Sequence, residues 1–258
     1  MNILVTNDDG INSPGLWALV AELRKIGKVM VAAPDREQSG VGTSVTLHSP
    51  VRAWRIKGPM KGVTTYAVEG TPADSVILAL GRLLRNKVDL VVSGINSGSN
   101  LGQDVLISGT VGAAFQGYVR GLPAMALSVG ALKKVQFEPA ARLGARLALA
   151  LTEGGFSSTC FLNVNLPNLP AGELHDIEVT RLAGRSYRDR IKTGFDGKRR
   201  YYWIVRDKPD PTVEEGTDVW AVNNKRVSVT PIHSDFTCAD HAAVLKKLCP
   251  QLTEALKP

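Results

Sequence analysis

Cysteine is scarce in this sequence, and its placement excludes two kinds of structural support. Cys160, Cys238 and Cys249 are far apart, odd in number and not arranged as CxxC pairs. Neither a disulfide framework nor a zinc site is therefore expected. The chain also has no run of eighteen apolar residues and no basic N-terminal segment leading into an apolar one. These absences predict a cytoplasmic protein that does not enter a membrane.

Three common catalytic and cofactor-binding motifs are also missing. A GxxxxGK[ST] loop and a GxGxxG turn after the first strand are absent, which disfavours a nucleoside triphosphatase and a dinucleotide-dependent enzyme. The absence of a GxSxG turn disfavours a serine hydrolase. The four histidines have no metal-ligand spacing, although His233 and His241 flank Asp235 and could supply a proton to a leaving group.

The bulk composition is that of an ordinary globular protein. With 258 residues, 44% of them hydrophobic, the chain is long enough to bury a sizeable core. Its net charge of +7 is spread along the sequence apart from short basic runs. Because no nucleic-acid reader motif is recognisable, this charge favours a small anionic substrate over a nucleic-acid partner.

The first part of the chain alternates between short apolar runs and helical patterns. Strands are predicted at residues 3–5, 29–33, 88–92 and 124–129. Helices are predicted at residues 13–27, 71–84, 110–118 and 139–152. Apolar runs without alternation are typical of parallel strands that are covered on both faces. The pattern predicts a single α/β domain over residues 1–258, with a three-layer Rossmann-like core and a mostly parallel sheet.

The sequence changes character after about residue 160. Strand patterns at residues 161–164, 177–180, 201–205 and 227–230 surround a polar stretch over 184–200, and a last helix is expected over 240–256. The polar excursion predicts a projecting C-terminal β-hairpin region over residues 184–232. Its Tyr201, Tyr202 and Trp203 need a covering surface, and a second subunit would provide one. We therefore expect a homo-oligomer.

Two adjacent carboxylates follow the first predicted strand directly. Asp8 and Asp9 come just after the run Ile3-Leu4-Val5. Two like charges side by side raise the free-energy cost of ionising both unless a cation compensates, and a divalent metal is the commonest such cation. An isolated Asp-Asp pair is more often a solvated turn, so this assignment depends on what lies nearby.

Oxygen-bearing side chains also follow two other predicted strands. Ser39 lies in the segment after residues 29–33, and Asn96 lies after residues 88–92. In an open parallel sheet these strand ends meet at one edge, where ligands bind. Two carboxylates, a hydroxyl and an amide carbonyl are hard donors that suit Mg²⁺, Mn²⁺ or Ca²⁺ better than Zn²⁺. Together with Asp8 and Asp9 they predict a divalent metal site.

A turn of small residues enters the predicted helix over 110–118. Ser108, Gly109 and Thr110 would present free N–H groups at the positive end of the helix dipole, which is a phosphate site in many proteins. A plain helix cap is the alternative, and the two remain open at this point. A metal and an anion site at one sheet edge would together favour phosphate-ester hydrolysis.

Several long motifs occur along the chain in this order: Asn7-Asp8-Asp9-Gly10, Ala33-Pro34-Asp35-Arg36 with Ser39-Gly40, Glu69-Gly70-Thr71-Pro72-Ala73-Asp74, Ser93-Gly94-Ile95-Asn96-Ser97-Gly98 with Asn100-Leu101-Gly102, and Ser108-Gly109-Thr110-Val111. Together they resemble the family of the stationary-phase survival protein SurE, a nucleotidase family. The resemblance extends over essentially the whole chain. Residues 192–198 and 203–206 depart from it, and the spacing from Thr237 to His241 is stretched.

This resemblance implies a metal-dependent phosphatase that acts on nucleoside 5′- and 3′-monophosphates and, in some members, on short polyphosphate. It implies one Mg²⁺ or Mn²⁺ ion per subunit and homodimers or homotetramers joined through swapped C-terminal elements. The metal ligands would match Asp8, Asp9, Ser39 and Asn96. The substrate contacts would fall on Asn96, Ser108, Gly109 and Thr110, with Asn100, Asp235 and His241 as further candidates.

Two rival functions follow different chemistry. A haloacid-dehalogenase-type phosphatase needs Asp-x-Asp after the first strand, but the residue two past Asp8 is Gly10. A nucleotide-binding regulatory protein without turnover would keep the phosphate site, yet the intact Asp8, Asp9 and Asn96 argue against it. We expect a water molecule to attack phosphorus in line. The sequence leaves open whether Asp8 or Asp9 acts as the base.

Overall fold

The computed structural model describes residues 1–154, 156, 159–184, 188–207 and 213–256. In chain order the strands are β1 (Asn2–Thr6), β2 (Lys28–Pro34), β3 (Arg52–Ile56), β4 (Thr64–Glu69), β5 (Leu90–Ser97), β6 (Ala124–Val129), β7 (Phe161–Leu166), β8 (Ile177–Val179), β9 (Arg188–Phe195), β10 (Arg200–Asp207) and β11 (Val227–Ile232). The α-helices are α1 (Pro14–Leu23), α2 (Pro72–Leu78), α3 (Gly109–Tyr118), α4 (Phe137–Glu153), α5 (Asp218–Asn223) and α6 (Ala239–Glu254).

Nine of these strands form one sheet, in the order β3-β4-β2-β1-β5-β6-β7-β11-β8. The strands from β4 to β7 are parallel, whereas β3 and β11 are antiparallel to β4 and β7. Val5 of β1 is in register with Val31 of β2 and with Val92 of β5. The carboxyl ends of these three strands therefore meet at one edge. The predicted α/β class with a mostly parallel sheet is confirmed.

Helices cover both faces of the sheet. One cluster packs α1 and α4 against the strands, and a second packs α2 and α3 on the other side. Helix α1 begins at Pro14, as predicted, because proline fits the first helical turn, and its Leu16, Leu19 and Leu23 are fully buried. Burying one such side chain stabilises the fold by about 1.5–3 kcal/mol. This apolar face holds the loop between β1 and α1 in place.

The structure differs from the sequence-based expectation in several elements. The strands β3 and β4 were not predicted. Strand β3 is a largely exposed edge strand without an apolar run, and β4 mixes polar with apolar residues. Helix α1 ends at Leu23 rather than near residue 27. The helix expected through residue 84 is α-helical only to Leu78 and continues as a π-helical turn, Ala79–Leu83.

The hairpin consists of β9 and β10, which pair with each other in a separate antiparallel sheet. Within the polar stretch before residue 200, Arg188–Phe195 is therefore itself a strand. Of the predicted projecting region, 184–232, the strand β11 lies in the main sheet between β7 and β8, and residues 185–187 and 208–212 lie outside the described residues. The two hairpin strands therefore span residues 188–207, a shorter range than the predicted 184–232.

The last helix, α6, is described along its whole length and has no buried residue. Its apolar side chains, Val244, Leu245, Leu248 and Leu252, are all exposed. Within the described part of the chain, no helix combines the length and apolar character needed to cross a membrane.

Candidate active site

Asp8 lies just beyond β1 and is packed against the start of α3. The residue is 5% exposed, and its Oδ1 accepts a hydrogen bond from the hydroxyl of Thr110. A Cβ atom at Gly109 would lie 2.8 Å from the Cβ of Asp8. Only glycine at position 109 therefore lets α3 begin this close to the carboxylate.

Both carboxyl groups of the Asp pair are difficult to ionise. Burial is the main cause that raises the pKa of Asp8 to about 6, with a smaller contribution from the charge of Asp9 and an opposing one from the Thr110 hydrogen bond. Burial also raises the pKa of Asp9, and the neighbouring charge of Glu37 acts in the same direction. A bound cation would favour the charged forms.

The loop after β2 brings Ser39 toward Asp8. The backbone N–H of Gln38 donates to the backbone oxygen of Asp8 at 2.8 Å. Gly10 has φ of +94°, and a Cβ atom there would lie 2.9 Å from the carbonyl carbon of Arg36. The two loops can therefore approach only with glycine at position 10. The Ser39 hydroxyl is exposed and donates to Glu37 Oε1 at 2.6 Å.

The end of β5 brings Asn96 beside Asp9. The backbone N–H of Ser97 donates to Asp9 Oδ2 at 3.1 Å, which fixes the carboxylate next to this strand. The side-chain nitrogen of Asn96 donates to the carbonyl of Gly98 at 2.7 Å. Because the nitrogen is used within the loop, the amide oxygen is the atom of this side chain that suits a cation.

The four predicted metal ligands thus lie at one sheet edge, Asp8 and Asp9 on the loop after β1, Ser39 on the loop after β2 and Asn96 at the end of β5. In the described ranges, no group of three His, Cys, Asp or Glu side chains is placed to hold a metal ion. The candidate set contains two carboxylates, completed by a hydroxyl and an amide. Such a set fits a hard cation of the Mg²⁺ or Mn²⁺ type better than Zn²⁺. The raised pKa values of Asp8 and Asp9 mean that a bound cation would relieve the cost of ionising both carboxyl groups.

The turn before α3 acts as a helix cap and also contacts Asp8. Ser108 Oγ accepts the N–H of Val111 at 3.1 Å, so the cap interpretation applies to this side chain. Thr110 is fully buried, and both its hydroxyl and its N–H lower the pKa of Asp8. The N-terminal end of α3, the predicted anion site, therefore lies against the candidate metal ligand.

Asn100 belongs to a buried polar network. Its side-chain nitrogen donates to Ser128 Oγ at 2.8 Å, and its N–H donates to Asn165 Oδ1 at 2.9 Å. Its carbonyl accepts from the amide groups of Asn163 and Asn165 at 2.8 and 3.0 Å. These contacts fix the loop that follows β5, while contact of Asn100 with substrate stays a prediction.

Asp235 and His241 lie in a different part of the chain. Hydrogen bonds from the hydroxyl of Thr237 and from its N–H, the latter at 2.8 Å, hold the pKa of the exposed Asp235 carboxyl below the usual range. The N–H of Asp235 donates to His233 at 3.1 Å. His241 lies in the exposed first turn of α6. These contacts are local, and they do not join either residue to the Asp8 edge.

Two acidic residues near the site were missed. Glu37 lies two residues before Ser39 in the same exposed loop, and only the fold brings its charge close to Asp9. Asp74 accepts the N–H and hydroxyl of Thr46 at 2.9 and 2.7 Å and the N–H of Thr71 at 2.9 Å. It thereby holds the loop that continues from Ser39. The capping-box spacing from Thr71 to Asp74 could have indicated it.

The comparisons with known proteins agree with this geometry. The family model described as Survival protein SurE matches residues 3–189. The chain belongs to the SurE family. The matched range contains the Asp8 edge and the start of α3, whereas Asp235 and His241 lie beyond it.

Named relatives and a solved structure of the SurE family support the match over nearly the whole chain. A 5′-nucleotidase SurE of Dehalococcoides mccartyi strain CBDB1 is 46% identical over 235 residues, covering 90% of this chain and 89% of that protein. The 5′-nucleotidase SurE of Moorella thermoacetica is 45% identical over 240 residues, covering 92% of each. The crystal structure of the SurE protein from Aquifex aeolicus has a TM-score of 0.83 and 40% identity, covering 96% of this chain and 99% of that one.

Proposed function

We infer that this protein is a nucleotidase, a phosphoric monoester hydrolase that cleaves a nucleoside monophosphate into a nucleoside and phosphate. Its SurE relatives are named 5′-nucleotidases. The observation that carries the proposal is the contact of the Asp8 carboxylate with both polar groups of Thr110 at the start of α3. It joins an acidic centre to an anion-binding helix end.

The cofactor we propose is one Mg²⁺ or Mn²⁺ ion, held by Asp8, Asp9, Ser39 and Asn96. When bound, such an ion would polarise the phosphoryl oxygens and orient a water molecule for attack. The chain itself contributes the acidic pair, whose carboxylates are desolvated and therefore interact strongly with positive charge.

The turn before α3 would bind the phosphate group, and the Asp pair would take up the proton of the attacking water. The N–H of Gly109, with the dipole of α3, would bind a non-bridging phosphate oxygen and stabilise the charge that develops on it. Water would attack phosphorus in line with the leaving oxygen. The proton it releases would pass to Asp8 or Asp9 acting as the general base.

The substrates that we propose for this protein include more than the 5′-nucleotides that the names of its relatives state. We propose nucleoside 5′-monophosphates as substrates, together with 3′-monophosphates and short polyphosphate as the resemblance implies. A cytoplasmic location stays the prediction made from the sequence.

We also propose a homo-oligomer, a dimer or tetramer. The hairpin residues Tyr202, Trp203 and Ile204 are 61%, 65% and 73% exposed, and they form a contiguous apolar stretch of β10. Exposed aromatic groups of this kind mark interaction surfaces, and β10 pairs with β9 rather than with the main sheet. A second copy of the chain would cover them.

The test is phosphate release from a panel of 5′- and 3′-nucleotides and short polyphosphate with added Mn²⁺. A nucleotidase releases phosphate from the monophosphates, and Asp8→Asn abolishes the release. Asp89→Asn is the matched control, because Asp89 accepts the N–H of Asn2 at the opposite edge of the sheet. Tight nucleotide binding without release by the wild type would favour the regulatory alternative.

A further inference from the structure

A second buried carboxylate lies at the start of α5. Asp218 is fully buried and has a raised pKa because of that burial. Its Oδ2 accepts the N–H of Gly102 at 2.7 Å. Its Oδ1 accepts the N–H groups of Ala183 and Val219, both at 2.9 Å. Hydrogen bonds from three donors offset the cost of burying this group.

These donors belong to separate parts of the chain. Gly102 begins the short 3-10 helix Gly102–Leu106, which follows β5. Ala183 lies shortly before the hairpin, where the backbone of Arg181 forms a parallel bridge with Thr217. The N–H of Asp218 also donates to the carbonyl of Arg181 at 3.0 Å. The Asp218 side chain therefore links the segment that precedes the hairpin to the loop after β5.

That loop leads to the phosphate-binding turn through its own backbone. The carbonyl of Leu101 accepts the N–H of Asp104 at 3.1 Å, and the carbonyl of Asp104 accepts the N–H of Ser108 at 3.1 Å. The carbonyl of Ile107 accepts the N–H of Gly42 at 2.9 Å. A displacement at Gly102 would therefore reach Ser108 through the adjoining backbone of Leu101 and the first two of these hydrogen bonds.

We propose that Asp218 is a positioning residue that sets the 102–108 segment and, through it, the phosphate-binding turn at Ser108–Thr110. This inference rests on the nucleotidase function proposed above. Asp8 and the Ser39 loop also contact this region, Asp8 through the hydroxyl of Thr110 and the loop through the N–H of Gly42, but the turn at Ser108–Thr110 continues directly from the 102–108 segment along the chain. Loss of Asp218 should accordingly weaken phosphate binding much more than metal binding.

The test variant is Asp218→Asn, which preserves the size of the side chain. An amide has one acceptor oxygen, so it can serve Gly102 or the Ala183–Val219 pair but not both. We expect the Kd for inorganic phosphate, measured by calorimetry with Mn²⁺ present, to rise about tenfold or more. The Kd for Mn²⁺ alone should stay within about twofold. A general loss of folded structure would not separate the two ligands in this way.

Thr180→Val is the matched control. Thr180 is buried next to Arg181 and shares its hydroxyl with Ser228 at 2.8 Å and Thr230 at 2.6 Å. Its replacement should lower the Tm without changing phosphate affinity, because its contacts remain between β8 and β11. Unchanged phosphate affinity in Asp218→Asn, or an equal loss in Thr180→Val, would overturn the inference.

Hydrogen exchange in the wild type provides a second readout that does not depend on the variant folding. Phosphate should increase the protection of the Gly102 and Ala183 N–H groups, whereas the N–H of Thr180, bonded to Val229 at 3.1 Å, should not respond. Unchanged protection at Gly102 in phosphate-saturated protein would contradict the inference alone. A wild type that neither binds phosphate nor hydrolyses nucleotides would overturn the proposed function and this inference together.

Discussion

Replacing Asp8 with Asn should stabilise the metal-free protein while abolishing its activity. In the fold the pKa of Asp8 rises from 3.8 to about 6, which corresponds to about 3 kcal/mol against the ionised form. Asparagine has nearly the same volume and can still accept the Thr110 hydrogen bond. We therefore expect Asp8→Asn to raise the free energy of unfolding by about 1–3 kcal/mol at pH 7.5 in EDTA.

The pH dependence follows from the sign of this shift. A folded-state pKa above the unfolded value means that the native protein binds the proton more tightly, so stability is lost as pH rises from 3.8 through about 6. Asparagine has no proton to lose. The stability gap between variant and wild type should therefore open across this window and stay constant above it.

Urea denaturation in EDTA at pH 4 and pH 7.5 measures both effects, with Asp89→Asn as the control for removing an acid elsewhere. Saturating Mn²⁺ should reverse the order, because a ligand that binds the native state stabilises only the protein that still holds it. The reasoning would be refuted if Asp8→Asn were less stable than the wild type in EDTA at pH 7.5, or if the gap were equal at both pH values.

The remaining predictions concern the surroundings of the site. Asp74→Asn should lower the free energy of unfolding by about 1–3 kcal/mol, because one of three donors loses its acceptor. It should also weaken Mn²⁺ binding by loosening the Ser39 loop, and calorimetry can measure both effects. Unchanged Mn²⁺ affinity would exclude this role of Asp74. Thr110→Val should lower kcat on the order of 10²–10³-fold, because the Thr110 hydroxyl would act in the transition state. A normal kcat in a steady-state assay would show that the Thr110 hydroxyl has only a structural role. Replacing Tyr202 and Trp203 with serine should reduce the assembly mass in light scattering, whereas an unchanged mass would contradict the hairpin interface.

The core strands could be predicted because their apolar runs are short, continuous and separated by helical patterns. Edge strand β3 could not, since its side chains remain largely exposed and leave no such run. The hairpin was located only in part, because β9 is polar in sequence and is stabilised by its pairing with β10.

The candidate site could be assembled from the sequence because strand ends in a parallel sheet share one edge. That rule selected Asp8, Asp9, Ser39 and Asn96, which the structure brings to that edge. It could not find Asp74 or Asp218. The contact of Asp74 with Thr46 joins residues 28 apart in the chain, and that of Asp218 with Gly102 joins residues 116 apart. Such long-range hydrogen bonds leave no local pattern, although the capping-box spacing from Thr71 marks Asp74 as a helix-capping residue.

The most direct test of the central claim is the rate of phosphate release from a nucleoside 5′-monophosphate as Mn²⁺ is removed and restored. We predict turnover with Mn²⁺, none after exhaustive chelation, recovery when Mn²⁺ is added back, and no recovery in Asp8→Asn. Full turnover in chelated protein or in Asp8→Asn would contradict an Asp8-centred metal-dependent nucleotidase.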